Sequence, residues 1–443
     1  MDAFGMQTTM LAGGTVDADG YLTDNPSEPA WNLLHVTGPL DAARLAAAVD
    51  EVTSATEILH LRVRATADGP TLVPFPVPIR LEIVDVPSPL TANGVAESAV
   101  AVLGPLLFGK VALPHAPSGR ICLVRGGGDE HLLALSFDHT VLDGWSVGLL
   151  TKAIAQCYKS GKHTPRGSSF RSFVAALPSR TVQDAGLATW RSLLADHPVP
   201  GPALRFPGTR PKTADFQIDG HYDETYPATV VEDLTSAVGR TGLSKAELLT
   251  AACALAVSTW SDGPQPMLSL RHGHNRPEDI LVIGPLVEPY VLLPPARATT
   301  VADWLIAHRA VNRDTPPLYG RSIREVTPLA PRNAALNVVP PARPVVFGPT
   351  TRATTVPRDL LAPLWADGRP TVPSTAAFWL NLFLDHPGRV EISITHDTEV
   401  LPDPKLLSDS IAEVVATAAR PQLRRQPPRS SRLGGSSAAP PSR

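Results

Sequence analysis

The pattern of apolar and polar positions is most regular between residues 131 and 155. Leu132–Phe137 is an apolar run of about six residues, which is typical of a buried strand. Apolar positions then recur with helical spacing from Gly144 to Ala155, which predicts a helix. A short turn connects the two, and His139 lies at its start. A side chain at this point is held by the strand, yet it faces a loop in which a cleft can form.

Glycine and proline mark the breaks between such segments. Gly126–Gly128, between two apolar runs, predicts the turn of a hairpin. Three proline clusters, at residues 198–211, 339–349 and 357–373, predict loops, because proline cannot donate to a strand ladder and interrupts helices. From Arg420 onward the chain has six arginines and no acidic residue, so we expect residues 421–443 to be a disordered tail.

Length and composition narrow the class of protein. A chain of 443 residues is too long for one ordinary core, so we expect two lobes. The 43% apolar and 18% charged residues are usual for a globular protein, and a net charge of −3 gives no sign of a nucleic-acid partner. Neither a signal peptide nor an apolar run of transmembrane length is visible, so we expect no membrane partner and a cytoplasmic location.

Neither the cysteines nor the paired histidines favour a metal site. Cys122, Cys157 and Cys253 lie in apolar runs without a CxxC motif, so we interpret them as small buried hydrophobic residues of a reducing compartment. His272 and His274 are close in sequence, but no carboxylate or cysteine cluster completes a ligand set, and we expect loop histidines. No metal is therefore expected.

His139 is the main candidate for chemistry. A neutral imidazole can both accept and donate a proton near pH 7, and a strand-end position suits proton transfer. Asp143, four residues on, can fold back to orient the turn, and Gly144 lets a substrate approach the backbone closely. The alternative is a histidine with a purely structural role in a strand-to-helix corner.

The run His139–Gly144, followed by Trp145 and Ser146, resembles the HxxxDG signature of the condensation-domain superfamily of nonribosomal peptide synthetases, whose relatives include chloramphenicol acetyltransferase. Further segments resemble the same family in the family's order: Leu34–Asp41 with the helical stretch behind it, Thr189–Leu194, Gly242–Ser261, Ile283–Val287 and Phe378–His396. The resemblance covers roughly the first 420 residues.

The resemblance implies an α+β fold of two chloramphenicol acetyltransferase-like lobes, each a mixed β-sheet with helices, arranged as a V around a central tunnel. We expect an N-terminal lobe at residues 1–180, which carries the HxxxDG motif, and a C-terminal lobe at residues 181–420, followed by the tail.

The resemblance also implies roles for the motif residues. His139 matches the histidine that does the chemistry, and the backbone N–H of Gly144, near a helix start, is the expected donor to the oxyanion. Asp143 matches an aspartate that pairs with an arginine and fixes the loop. Arg276 or Arg271 could be that partner, and we favour Arg276.

This chain departs from the family pattern at two positions. The first histidine of the usual HHxxxDG motif is replaced by Asp138, and Glu288 stands where the family has an amide. Adjacent side chains at a strand end point to opposite faces, so we expect Asp138 to point away from the imidazole; an altered base or acceptor site is the alternative. Trp145 is expected in the core or the tunnel wall, and Ser146 is expected to cap the following helix.

The function implied by the resemblance is that of a free-standing condensation enzyme of natural-product biosynthesis. It would join an acyl thioester, tethered to the phosphopantetheine of a carrier protein met in trans, to an amine or hydroxyl of a small acceptor. We expect no permanently bound cofactor. Two alternatives remain: an acyltransferase of the same fold that uses coenzyme A thioesters, and a catalytically silent scaffold protein.

Overall fold

A computed structural model of the chain describes residue 7 and residues 14–25, 29–67, 69–91, 94–111, 115–195, 203–209, 212, 215–261, 263, 265–272, 279–295, 298–321, 325–326, 334–339, 344–365, 372–374, 376–384 and 388–420. The expected tail at 421–443 lies outside these residues.

The described strands, numbered in chain order, are β1 Thr15–Val16, β2 Leu22–Asp24, β3 Ala30–Thr37, β4 Leu61–Thr66, β5 Gly69–Pro74, β6 Leu81–Asp85, β7 Leu90–Thr91, β8 Gly94–Val95, β9 Gly119–Arg125, β10 Glu130–Phe137, β11 Phe216–Ile218, β12 Gly220–Thr225, β13 Met267–His272, β14 Val287–Leu292, β15 Ala335–Val339, β16 Val345–Val346, β17 Arg352–Thr355, β18 Val372–Ser374, β19 Phe378–Phe383 and β20 Glu391–His396. The described α-helices are α1 Ala42–Ala55, α2 Glu97–Phe108, α3 Gly144–Ser160, α4 Phe170–Ala175, α5 Arg180–Ala195, α6 Ala228–Thr241, α7 Lys245–Thr259, α8 Val301–Arg313 and α9 Pro404–Ala419.

Within the described ranges the strands form two six-stranded mixed sheets and several two-stranded ones. The first large sheet has the order β16-β17-β3-β10-β9-β6, with β6 and β9 parallel. The second has the order β12-β20-β19-β15-β13-β14, with β15 parallel to both β13 and β19. Each is covered by helices, so the described chain is α+β.

The apolar run predicted as a buried strand is β10, in the middle of the first sheet. Its side chains alternate between two cores, because successive residues of a strand point to opposite faces. Leu133, Leu135 and Phe137 pack with α1 and α3, whereas Leu132 and Ala134 pack with α2. Burial on both faces explains why the run is continuous rather than alternating.

The second sheet is backed on one face by α6, α7, α8 and α9. Its core includes Leu234, Leu248, Leu305 and Leu407 from these helices. Tyr222 of β12 packs at its margin. The hairpin of β19 and β20 lies within this sheet, and its first strand runs parallel to β15.

The proline clusters are not loops throughout. β16 and β17 join the first sheet beside β3, and a 3-10 helix at Arg358–Trp365 contributes Leu361 to the core under α2. Proline is compatible with β16 because Pro344 and Pro349 flank that strand, which lies at the sheet edge; Pro363 lies within the 3-10 helix. Similarly, His272 ends β13 rather than lying in a loop.

The three cysteines are confirmed as buried free thiols, one in each of three cores. Burial raises the pKa of Cys122 and of Cys157 to about 11, so both thiols stay protonated at neutral pH. Of the helices in the described part of the chain, none combines the length and the apolar character that a membrane crossing requires.

Candidate functional site

The turn that carries His139 is tightly organised. The backbone carbonyl of Asp138 accepts hydrogen bonds from the N–H groups of Val141 (3.0 Å) and Leu142 (3.3 Å), which closes the chain into one turn between β10 and α3. Val141 and Leu142 are buried in the core beneath it. The side chain of His139 is half-buried, and its Nδ1 is shielded from solvent. The imidazole is thus presented by a rigid support.

Asp138 is only 4% exposed, and its carboxylate accepts hydrogen bonds within this turn. Its Oδ1 accepts hydrogen bonds from the backbone N–H of Thr140 (2.8 Å) and from the Thr140 hydroxyl (2.5 Å). The side-chain amide of Asn25 donates to both carboxylate oxygens, at 3.1 and 3.2 Å. The carboxylate therefore binds both the backbone N–H and the hydroxyl of Thr140, the residue that follows His139.

Asp143 is fully buried and caps α3. Its Oδ1 accepts from the backbone N–H of Ser146 at 2.7 Å, and its Oδ2 accepts from the backbone N–H of Leu286 at 2.9 Å. Gly144 follows as the first residue of the helix and is exposed. A Cβ placed on Gly144 would meet nothing within 4 Å, so there is open space beside this backbone.

The expected cap, Ser146, does not cap α3. The helix begins at Gly144, so Asp143 holds the N-cap position and Ser146 lies within the first turn, where its N–H donates to the Asp143 carboxylate. Instead the buried Ser146 hydroxyl donates to the carbonyl of Gly284 (2.7 Å) and accepts from the Gly284 N–H (3.0 Å). A Cβ on Gly284 would lie 2.4 Å from the Phe170 ring, so only glycine fits this close approach.

Trp145 is half-buried and reaches the same segment. Its indole N–H donates to the carbonyl of Ile280 at 3.2 Å, and the Lys152 ammonium lies 6.0 Å from its ring centroid. Together with Asp143 and Ser146, it attaches the start of α3 to residues 280–286, which we call the clasp segment. The motif is therefore joined to chain that is far away in sequence.

Glu288 is 4% exposed and lies in β14, just beyond the clasp segment. Its carboxylate accepts from the backbone N–H of Gly320 (2.6 Å) and of Leu318 (3.3 Å). Tyr319 between them has a φ of +51°, a conformation that non-glycine residues rarely adopt. Glu288 thus holds a strained turn after α8.

Of the two arginines expected to face Asp143, Arg276 lies outside the described residues, and Arg271 lies in β13. Within the described ranges, no group of three or more His, Cys, Asp or Glu side chains could hold a metal ion.

Two buried polar residues of this region were missed by sequence reasoning. Gln7 is fully buried and its side-chain amide donates to the carbonyl of Thr140 at 2.7 Å. Arg62 in β4 is 2% exposed and donates to the carbonyls of Leu61 (2.9 Å) and Ala116 (2.8 Å). No sequence signal pointed to either residue: Arg62 alternates with Arg64 along a strand whose core-facing positions are Leu61 and Val63, a pattern usual for solvent-facing arginines.

The chain is similar to known proteins in sequence and in fold. The condensation domain family model matches residues 27–291. The nonribosomal peptide synthetase atnA of Emericella nidulans is 24% identical over 293 residues, which are 64% of this chain and 4% of that protein. The phosphinothricin tripeptide synthetase PhsC of Streptomyces viridochromogenes is 31% identical over 158 residues, 36% of this chain and 13% of that protein. The chain thus spans a small part of these relatives.

Solved structures have the same fold. The first condensation domain of the calcium-dependent antibiotic synthetase, in complex with substrate analogue 3a, superimposes with a TM-score of 0.72 at 18% identity, covering 94% of this chain and 96% of that one. The SgcC5 protein of Streptomyces globisporus gives a TM-score of 0.71 at 15% identity, covering 95% and 98%. The expected fold class is confirmed by this likeness. Since the family model matches more than half of the length of this chain, the chain belongs to the condensation-domain family, whose members form amide bonds by acyl transfer.

Proposed function

We propose that this chain transfers an acyl group from a phosphopantetheine thioester to an amine or hydroxyl acceptor, and so forms an amide or ester bond in natural-product biosynthesis. The observation that carries the proposal is the placement of His139. Its imidazole stands at the end of a strand that is buried on both faces, in a turn fixed from several sides, directly before the N-terminus of α3. A proton-transfer group needs this rigid placement.

In the proposed reaction, His139 accepts the proton of the acceptor N–H or O–H as the lone pair attacks the thioester carbonyl. The new C–N or C–O bond forms first, giving a tetrahedral oxyanion, and the C–S bond then breaks. The thiolate leaves and takes up a proton, which the imidazolium of His139 can return. Each turnover leaves the histidine unchanged, so no bound cofactor is required and the thioester is a substrate.

The backbone N–H of Gly144 is the proposed donor to the oxyanion. It belongs to the first turn of α3, where N–H groups have no partner within the helix and the helix dipole favours negative charge. The open space beside Gly144 leaves room for the reacting carbonyl. Asp143, which is fully engaged in capping and in the bond to Leu286, supports this geometry rather than acting as an acid.

The donor is proposed to be presented by a separate carrier protein. Excised carrier proteins loaded with acyl groups, and the matching acyl-coenzyme A thioesters, are incubated with the protein and a panel of amines and alcohols. Mass spectrometry identifies the products. Transfer from the loaded carriers alone supports the proposal; transfer only from coenzyme A thioesters assigns the alternative donor and contradicts it.

His139→Ala and His163→Ala form a matched pair for the same assay, because His163 lies beyond the other end of α3. Removing a general base costs about 100-fold to 10,000-fold in rate. We therefore expect His139→Ala to lose turnover and His163→Ala to keep it. Equal product formation by both variants and the native protein would refute the role of His139. A folded native protein inactive across a panel that includes its natural donor would indicate the scaffold alternative.

A further inference from the structure

Asp138 occupies the position at which the family motif has its first histidine, and its carboxylate is bound within the turn. Its hydrogen bonds are made to Thr140 and Asn25, rather than to the imidazole of His139. Because Oδ1 binds both the N–H and the hydroxyl of Thr140, the carboxylate fixes the peptide that follows His139. A carboxylate of this kind sets the orientation of the turn.

Arg62 of β4 is a buried cation. It is 2% exposed, and its guanidinium is 5.4 Å from the centroid of the Phe75 ring. Its hydrogen bonds to the carbonyls of Leu61 and Ala116 satisfy N–H groups but supply no net negative charge. A buried cation without a facing negative charge is strongly destabilising.

Ser118 links the backbone of Asp138 to the segment that Arg62 also binds. Its backbone carbonyl accepts the N–H of Asp138 at 2.9 Å, and its hydroxyl donates to the carbonyl of Leu59 at 2.8 Å. The guanidinium of Arg62 also donates to that Leu59 carbonyl, at 3.4 Å. Burial lowers the pKa of Arg62 to about 10, and the negative charge of Asp138 acts against that shift. The carboxylate thus stabilises the charged form of Arg62.

We propose that Asp138 is a positioning residue that orients His139 through Thr140 and also supplies the negative charge facing the buried Arg62. The exchange of histidine for aspartate at this position is then a structural adaptation of this chain. It follows that Asp138→His, which restores the family motif, destabilises the protein, because an imidazole cannot replace the charge. The positioning part rests on the proposed catalytic role of His139, whereas the charge part does not.

A double-mutant cycle tests the charge part without any substrate. Thermal unfolding midpoints are compared for the native protein, Asp138→Asn, Arg62→Met and the double variant. Asparagine keeps the shape and one oxygen acceptor but removes the charge. We expect Asp138→Asn to lower the midpoint by several degrees, and by less than half as much when Arg62 is already methionine. Equal losses in the two backgrounds would overturn the pairing.

Asp138→His gives a second test that stands even where Arg62→Met does not fold. We expect it to unfold several degrees below the native protein. A midpoint at or above the native value would overturn the proposal, because the restored motif would then be the better fit.

The positioning part is read from histidine signals in NMR spectra of protein with ¹³C-labelled histidine. The signal that disappears in His139→Ala identifies the residue. We expect Asp138→Asn, which retains an acceptor for Thr140, to leave the His139 signal near its native position, and Asp138→Ala to displace or broaden it. An unchanged signal in Asp138→Ala would overturn positioning. Since no turnover is measured, that result differs from a failure of the proposed function, which would appear only in the transfer assay.

Discussion

The carboxylate of Asp143 accepts a hydrogen bond from the backbone N–H of Leu286, a residue 143 positions away in the sequence. The same carboxylate caps α3 through the N–H of Ser146. One buried side chain therefore sets the start of the helix after His139 and attaches the clasp segment to it. The aspartate of the HxxxDG motif therefore has a structural role, which is to join α3 to the clasp segment.

Replacing Asp143 should be far more costly than replacing an ordinary helix cap. Asp143→Ala removes the cap and leaves the buried N–H of Leu286 without an acceptor, so we expect the free energy of unfolding to fall by about 3 kcal/mol. Asp41→Ala, at the exposed cap of α1, should cost about 1 kcal/mol. Urea unfolding of both variants measures the difference, and equal costs would contradict the linking role.

Ser146→Ala should release the clasp segment without unwinding α3. It removes both hydrogen bonds to Gly284, and the buried backbone groups of that residue then lack partners. We expect the free energy of unfolding to fall by about 2 kcal/mol. Hydrogen–deuterium exchange should accelerate at residues 280–286, whereas the middle of α3 stays protected. Ser160→Ala, at the exposed end of α3, is the control and should leave exchange in the clasp segment as it is.

Gln7 should contribute to the stability of the folded protein although it lies near the N-terminus. Gln7→Ala removes the donor to the buried carbonyl of Thr140, and we expect a loss of about 1–2 kcal/mol in the free energy of unfolding. Gln7→Glu should cost more, because a carboxylate would face a carbonyl oxygen in a buried place. Gln183→Ala, which breaks a comparable bond to Pro178 on a part-buried surface, should cost less. Calorimetry of the three variants provides the test; the reverse order would argue against a role for Gln7 in the turn.

His308 should make the protein sensitive to acid. It is 2% exposed and stacked on Trp304, and burial lowers its pKa to about 4. The unfolded chain therefore binds a proton between pH 6.5 and about 4 that the folded chain does not, so stability is lost as pH falls through this range. We expect His308 to account for a drop of about 2 kcal/mol between pH 7 and pH 5. Unfolding of native protein and His308→Leu at both pH values measures this, and equal pH dependence in the two would refute it.

The sequence by itself determined the features that depend on neighbouring residues, namely individual strands, helices and turns. The strand β10 and the helix after Gly144 follow from the apolar pattern, the hairpin turn before β10 from its glycines, and the burial of the cysteines from the apolar runs around them. Each of these features depends on residues close in the chain. The motif around His139 and its flanking segments indicated the condensation-domain family, which the family model confirms.

Only the tertiary structure decided which distant residues meet at that motif. Gln7 reaches the turn of His139 and the clasp segment reaches the helix start behind it, whereas Arg62 binds the chain before β9. All three contacts join elements far apart in sequence, and no local period encodes them. The chain after β15 contributes two strands to the first sheet for the same reason: β17 pairs with β3 and β16 pairs with β17, and this pairing outweighs local propensity. The partners of Asp138 were likewise decided by the tertiary structure. The sequence shows that an aspartate precedes His139, but only the folded chain shows that it binds the N–H of Thr140 and that its charge acts on the buried Arg62.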